Sequence, residues 1–130
     1  MLADDIRSIP LFANLSDGQR GTVASKLAEE DVELGAVLAR QGEFAYHHFV
    51  VREGRAAVVI DGSLITTLEP GSSFGEIGVL QHGRRTADVV AITPMRLLTL
   101  TMWDFNALAD EMPGLKAHAK FLAEERLERA

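Results

Sequence analysis

The sequence contains no cysteine, which excludes a disulfide framework and any chemistry that needs a thiolate. It also contains no apolar run near the roughly 18 residues that a membrane-spanning helix needs. The first residues, MLADD, lack the basic and apolar regions of a secretory signal peptide. We therefore expect a cytoplasmic protein with no membrane span.

Basic residues are scarce as well: 13 Lys and Arg stand against 19 Asp and Glu, for a net charge of −6. Residues 1–35 alone have a net charge of −4, from seven acidic and three basic side chains. A protein that binds nucleic acid directly needs Lys and Arg to neutralise phosphates, so this balance argues against a nucleic-acid partner. What the chain does have is 47% hydrophobic residues in a length of 130, enough for the core of one domain.

The first third of the sequence passes from a helical to a β pattern. Ser16 and Gln19 have the spacing of a capping box, which predicts a helix over residues 17–30. From residue 32 to 68, short β-branched runs are punctuated by glycines, as in a β-sandwich or barrel. The dipeptide Asp61-Gly62 lies between two such runs and predicts a hairpin.

The end of the sequence returns to a helical pattern. A last strand over residues 95–100 is followed by Thr101 and Asp104, which have the spacing of another capping box. Pro113-Gly114 breaks this helix, and the proline suits the first turn of a final helix over residues 114–129. The sequence thus predicts a mainly β fold with flanking helices.

Residues 70–91, PGSSFGEIGVLQHGRRTADVVA, combine features that suit a small anionic ligand. Glycines let the backbone approach a ligand closely, and the N–H groups at the start of a short helix favour an anion. Arg85 offers a planar, permanently charged fork that suits phosphate. Glu76 would be repelled by phosphate, so we expect it to accept a hydrogen bond from a hydroxyl. A ligand with one phosphate and one sugar hydroxyl fits both residues.

This pattern, Phe-Gly-Glu followed by Arg-Thr-Ala and a β-branched strand, resembles the phosphate-binding cassette of the cyclic nucleotide-binding domain family. The opening Ile-Pro-Leu-Phe and the glycine pattern before residue 63 are similar to that family too. The resemblance implies a double-stranded β-helix, a jelly-roll-like β-roll, with an N-terminal helix and C-terminal helices. It divides one domain into an N-terminal helical segment (1–31), the β-roll (32–100), and C-terminal helices (101–130).

The resemblance also implies a role for each site residue. Glu76 would bind the ribose 2′-hydroxyl, Arg85 the cyclic phosphate, and Thr86 would place a hydroxyl near phosphate and base. Three residues would contribute backbone contacts: Gly75, Ile77 and Ala87. Three residues of the hairpin match positions that line the base pocket, although their β spacing is equally typical of core residues: Val58, Ile65 and Leu68.

The family resemblance also implies a regulatory role without catalysis and without a cofactor. The expected ligand is cyclic AMP, with cyclic GMP as the alternative because the Thr86 hydroxyl could reach a guanine amino group. Ligand binding would be relayed through the C-terminal helices after Pro113-Gly114, and the last helix could pair with its copy in a homodimer. The effector, and whether the chain is a stand-alone module or a piece of a larger protein, stay open.

Two other functions share this β-rich pattern. One is a protein-interaction module of the same fold that has lost its ligand, although Glu76 and Arg85 are both retained. The other is a metal-binding cupin, but adjacent His47 and His48 point to opposite faces of a strand, whereas that motif needs His-x-His. Asp88 departs from the family pattern. Alternation places it on the opposite face from Ala87, away from the pocket.

Overall fold

The computed structural model describes residues 3–43, 46–74 and 87–129 of the chain. Within these residues no helix is both long enough and apolar enough to cross a membrane. Two short 3-10 helices, η1 (Ala3–Ile6) and η2 (Pro10–Phe12), come first. The α-helices of the described residues are α1 (Asp17–Lys26), α2 (Met102–Glu111) and α3 (Pro113–Arg129). Eight strands of the described residues lie between α1 and α2: β1 (Ala28–Val32), β2 (Val37–Ala39), β3 (His47–Glu53), β4 (Ala56–Ile60), β5 (Ser63–Leu68), β6 (Ser73–Phe74), β7 (Asp88–Ala91) and β8 (Met95–Thr101).

The strands form two antiparallel sheets, and helices flank them at both ends of the chain. The first sheet has the order β1-β8-β3-β6, and the second has the order β2-β7-β4-β5. Consecutive strands often fall in different sheets, as in a β-roll that winds from one layer to the other. The predicted fold class, mainly β with an N-terminal helix and C-terminal helices, is confirmed.

Both predicted helix starts are confirmed by their hydrogen bonds. Ser16 Oγ accepts from the Gln19 backbone N–H at 3.1 Å, and Gln19 Oε1 accepts from the Ser16 N–H at 3.0 Å. Thr101 Oγ1 accepts from the Asp104 N–H at 3.1 Å. Each side chain satisfies an amide that the first helical turn leaves without an intrahelical partner.

The predicted end of the first helix is wrong. We expected a helix over residues 17–30 inside a helical segment 1–31, but α1 ends at Lys26 and β1 begins at Ala28. The residues Glu29, Glu30 and Asp31 have no apolar alternation that would mark a strand. These residues form a strand because they pair with β8, where Asp31 lies opposite Arg96. A long-range partner therefore overrides the local sequence pattern.

Two apolar clusters lie on opposite sides of the first sheet. The helix-side cluster joins the helices to its outer face and contains Ile6, Ile9, Leu11, Phe12, Leu15, Val23, Ala24, Val50, Leu98, Leu100, Phe105, Leu108, Ala109, Met112, Leu115 and Ala119. The inter-sheet cluster lies between the two sheets and contains Ala39, Phe49, Val51, Ala56, Val58, Leu68, Phe74, Ala87, Val89, Ala91, Met95 and Leu97. Alternation along β3 and β8 sends neighbouring residues to different clusters.

Candidate functional site

Four of the nine predicted site residues fall in the described part of the chain. They are Val58, Ile65, Leu68 and Ala87. The other five lie in the segment 75–86, outside the described residues: Gly75, Glu76, Ile77, Arg85 and Thr86. The described part of the site consists of its borders and the hairpin beside it.

Both borders of the segment 75–86 belong to the inter-sheet cluster. Phe74 is 2% exposed, pairs with Phe49 across β6 and β3, and stacks on its ring with centroids 4.7 Å apart. Ala87 is buried immediately before β7. The residues on both sides of the segment 75–86 are thus fixed to one apolar core.

The hairpin residues join the same cluster. Val58 and Leu68 are buried, and Ile65 is half-buried and packs against the cluster that also holds Ala87. Val58 lies opposite Val89 on one side and Thr66 on the other. The structure therefore brings together all four described site residues, and the three from the hairpin contribute to the core as well.

The turn of this hairpin adopts the geometry that its sequence predicts. Asp61 has φ of 51° and Gly62 has φ of 80°, and positive φ at both central residues is the mark of a type I′ turn. Ile60 and Ser63 pair directly across it. The turn sets the pairing of Val59 with Leu64, and a bulge between Val58 and Val59 then shifts the register by one residue. This shift places Leu68 opposite Ala56, on the inner face.

A polar residue that the sequence analysis did not select, Gln41, links the hairpin turn to the start of β7. Its side-chain amide donates to Asp61 Oδ1 at 2.9 Å and its Oε1 accepts from the Asp61 N–H at 3.0 Å. Its backbone N–H donates to Asp88 Oδ1 at 2.7 Å. Sequence separations of 20 and 47 residues leave no local signal for these contacts.

The predicted orientation of Asp88 is confirmed. Ala87, Val89 and Ala91 are buried in the inter-sheet cluster, while Asp88 between them is only half-buried. Its carboxylate is occupied by the Gln41 N–H on the other side of the strand. The charge that could have opposed an anionic ligand therefore points away from the cluster.

The adjacent histidines lie on opposite faces of β3, as predicted. His48 is 1% exposed and stacks on Phe105 of α2, with ring centroids 4.7 Å apart and planes 7° from parallel. His47 is exposed. Among the described residues no group of three His, Cys, Asp or Glu side chains is placed to hold a metal ion. The geometry of the pair does not match a cupin metal motif.

A cavity of about 410 Å³ lies elsewhere, beside the first sheet. It is lined by Asp5, Leu27, Glu29 and Arg52, which come from η1, the end of α1, β1 and β3. The four described site residues lie on the second sheet or directly before β7, so this polar cavity is separate from them.

A family model described as the cyclic nucleotide-binding domain matches residues 29–112. The match includes the whole β-roll, the segment 70–91 and α2. The chain belongs to the cyclic nucleotide-binding domain family.

Relatives of known identity agree with this assignment. The chain is 35% identical, over 124 residues and 95% of its length, to the potassium/sodium hyperpolarization-activated cyclic nucleotide-gated channel 4 of rabbit, Oryctolagus cuniculus. It covers 11% of that channel, and thus spans about a tenth of the length of this relative.

Solved structures share the fold over nearly the whole chain. The regulatory domain of Toxoplasma gondii protein kinase A, crystallised with cyclic AMP, is 25% identical with a TM-score of 0.83, covering 98% of this chain and 49% of that one. A cyclic nucleotide-binding protein from Geobacter metallireducens is 20% identical with a TM-score of 0.85, covering 99% and 98%. The second likeness shows the fold alone.

Proposed function

We propose that the chain is a non-catalytic cyclic nucleotide sensor domain whose ligand is cyclic AMP. The observation that carries this proposal is the family match over residues 29–112, which includes a cassette with both Glu76 and Arg85 in place. The described residues support it, because both borders of the cassette and the three hairpin residues share the inter-sheet cluster. The Toxoplasma structure that contains cyclic AMP supports the choice of ligand.

In this proposal Arg85 binds the cyclic phosphate and Glu76 binds the ribose hydroxyl. Gly75, Ile77 and Ala87 supply backbone contacts, and Thr86 supplies a hydroxyl. The base lies against the inner face of the hairpin at three side chains: Val58, Ile65 and Leu68. Apolar side chains there exclude water from one side of the base. The charge-assisted bonds at the other end fix its orientation.

Electrostatics favour this placement despite the net charge of −6. The segment 70–91 contains two acids, Glu76 and Asp88, and two bases, Arg84 and Arg85. Because Asp88 is bonded to the Gln41 amide outside the cluster, the local balance at the pocket is more positive than the sequence count implies. Remote acidic side chains are screened over about 8–10 Å at physiological salt.

The test compares two neighbouring arginines by calorimetric titration with cyclic AMP. Arg85→Ala removes a charge-assisted contact worth about 1.5–3 kcal/mol, so we expect about 10- to 100-fold weaker binding. Arg84→Ala removes the same net charge one residue away and serves as the matched control. Equal affinities for wild type and Arg85→Ala would exclude the assigned role. A wild-type chain that binds neither cyclic AMP nor cyclic GMP would favour the interaction module instead.

We further propose that ligand binding is relayed through α2 and α3. The contacts suit such a relay, since Phe105 and Leu108 of α2 and Leu115 of α3 pack in the cluster on the outer face of the first sheet. Only Met112 separates the end of α2 at Glu111 from the start of α3 at Pro113, which gives a short junction between the two helices. A ligand shifts such an equilibrium only by its difference in affinity for the two helix placements.

Hydrogen exchange tests the relay. With saturating cyclic AMP, we expect changed amide protection in residues 102–129 as well as around the pocket. Protection that changes around β4, β5 and β7 but stays the same in both helices would confirm binding and reject the relay.

A further inference from the structure

The second sheet has an outer face that none of the described helices covers. We define this outer face by its apolar residues Val37, Ala57, Val59, Leu64, Val90 and Ile92; exposed Thr67, opposite Ala57, lies on the same face. The registers place them together, because Val37 lies opposite Val90, Val90 opposite Ala57, and Val59 opposite Leu64. They alternate with inward residues of the inter-sheet cluster such as Val58, Val89 and Ala91.

The composition of this outer face is unusual for a sheet exposed to water. An antiparallel sheet with one open side normally places polar residues on that side. Here Leu64 is 65% exposed, Val37 43% and Ile92 40%, and three half-buried apolar residues lie between them. The largest apolar patch on a typical monomer covers about 300–600 Å², and such a patch is often an interaction site.

Opposite charges lie at the two ends of the outer face. Arg55 precedes β4 next to Ile92, whose N–H donates to the Arg55 carbonyl at 3.0 Å. Asp88 begins β7 opposite Val59. Arg55 and Val59 are four residues apart along one strand, so the two charges are separated by about 13 Å along the strand direction.

We propose that the outer face packs against the same face of a second copy of this chain. A two-fold axis parallel to the sheets and perpendicular to the strands reverses the strand direction. Each Arg55 then lies over the Asp88 end of its partner, and the apolar residues meet in the middle. The face is complementary to itself in both charge and hydrophobicity, as a two-fold interface requires.

The distribution of charge favours a second copy as the occupant. The chain as a whole has a net charge of −6, and this charge opposes random contact between copies. The exposed edge strand β1, with three acidic side chains in a row, is an example of a surface that repels its copy. The outer face instead has one positive and one negative end, so two copies can meet there without net repulsion.

The size of the outer face sets the expected strength. Four strands about 4.8 Å apart and about five residues of ~3.3 Å each give a flat area of about 300 Å². Two such faces in contact bury about 600 Å² in total, well below the roughly 1,200–2,000 Å² of stable interfaces. The dimer should therefore be weak and transient, and should form only at high protein concentration.

Sedimentation equilibrium over a wide concentration series tests this dimer. Leu64→Lys buries an ammonium group in the proposed contact, so we expect a dimer dissociation constant raised at least ~10-fold. Phe121→Lys is the matched control, because Phe121 is 59% exposed on α3, on the other side of the molecule. Wild type and Phe121→Lys should associate equally.

Any other pattern of self-association among wild type, Leu64→Lys and Phe121→Lys overturns the proposal. A wild type that stays monomeric throughout has no such interface. Loss of association in Phe121→Lys alone would assign the dimer to the last helix. An equal loss in both variants would indicate non-specific association.

A charge exchange tests the orientation. Arg55→Glu and Asp88→Lys should each self-associate more weakly than wild type, since like charges then meet across the axis. An equimolar mixture should recover the wild-type dissociation constant within ~3-fold, because in the mixed dimer the introduced glutamate faces the introduced lysine and the remaining Arg55 faces the remaining Asp88. A mixture no stronger than its components would reject the two-fold arrangement.

Discussion

The two sheets of this β-roll differ in how they are covered. The central strands of the first sheet, β3 and β8, are buried on both faces, by helices outside and by the second sheet inside, whereas its edge strand β1 is exposed. The central strands show consecutive buried residues, from His48 to Val51 on β3 and at Leu97-Leu98 on β8. The second sheet is buried on its inner face only, and burial alternates along β7. A strand that is buried on both faces lacks the alternation of apolar and polar residues that identifies a half-exposed strand.

The two apolar clusters also differ in what they hold in place. The helix-side cluster holds α1, α2 and α3 against the first sheet and contains none of the four site residues that the structure describes. The inter-sheet cluster contains Val58, Leu68 and Ala87, and Ile65 packs against it. Substitutions in the two clusters should therefore cost similar stability but differ in their effect on the ligand.

The largest expected effect comes from the adjacent pair Leu97 and Leu98. Both are 0% exposed, but Leu97 lies in the inter-sheet cluster and Leu98 in the helix-side cluster. Each change to alanine should lower the free energy of unfolding by about 2–5 kcal/mol in urea titrations. Leu97→Ala should also weaken cyclic AMP binding in calorimetry, whereas Leu98→Ala should leave it unchanged.

The pair serves as its own control, because the two variants remove the same atoms one residue apart. Equal weakening of cyclic AMP binding by both would show that loss of stability alone explains the result. The separation of the two clusters by function would then be wrong.

The sequence predicts best the features that depend on neighbouring residues. The capping box at Ser16 and Gln19, the cap at Thr101 and the turn at Asp61-Gly62 are local patterns, and all three are present. Such signals work because the hydrogen bonds or backbone angles involved span at most a few residues.

The features that the sequence misses depend on distant partners. The strand β1 has no alternation of apolar and polar residues and forms only because it pairs with β8. The paired residues Asp31 and Arg96 are 65 positions apart in the sequence. Gln41 acquires its role from Asp61 and Asp88. For the site, the resemblance of residues 70–91 identifies the family, while the roles of Glu76 and Arg85 stay a prediction.

The turn between β3 and β4 carries the chain from the first sheet to the second. Gly54 connects β3 to β4 with φ of +87°, and a Cβ there would meet the Pro94 carbonyl and approach Thr93 Oγ1 to 2.8 Å. Gly54→Ala adds a steric clash to the strain of a left-handed backbone, so we expect a loss of about 2–3 kcal/mol in chemical unfolding.

The hairpin glycine supplies the control for this prediction. Gly62 has φ of +80°, but nothing lies within 4 Å of its added Cβ. Gly62→Ala should therefore cost only the backbone strain, about 1 kcal/mol. Similar losses in the two variants would mean that the contact with Pro94 does not constrain the crossing between the sheets.

The smallest expected effect concerns the acid stability of the helix side. The Asp17 carboxylate accepts hydrogen bonds from the Arg20 and Arg7 guanidinium groups, and the Arg20 bond is the main cause that holds the pKa of Asp17 below its ordinary value of 3.8. Buried Arg20 also donates to the carbonyls of Phe12, Ala13 and Leu15. Asp17 therefore supports the guanidinium that fixes the N-terminal segment against the helix-side cluster.

The sign of the pH dependence follows from the lowered pKa. Because the folded state binds the Asp17 proton more weakly than the unfolded state, the stabilisation is fully present above pH 3.8 and is lost as the pH falls through the folded pKa. Asp17→Asn should thus melt below the wild type at neutral pH, by a small margin typical of exposed ion pairs. The difference in melting temperature should shrink in acid. If the difference in melting temperature stayed constant from neutral pH to below the folded pKa of Asp17, Asp17 would act through its position in the first turn of α1 and not through its charge. Arg20 would then hold the segment by its carbonyl contacts alone.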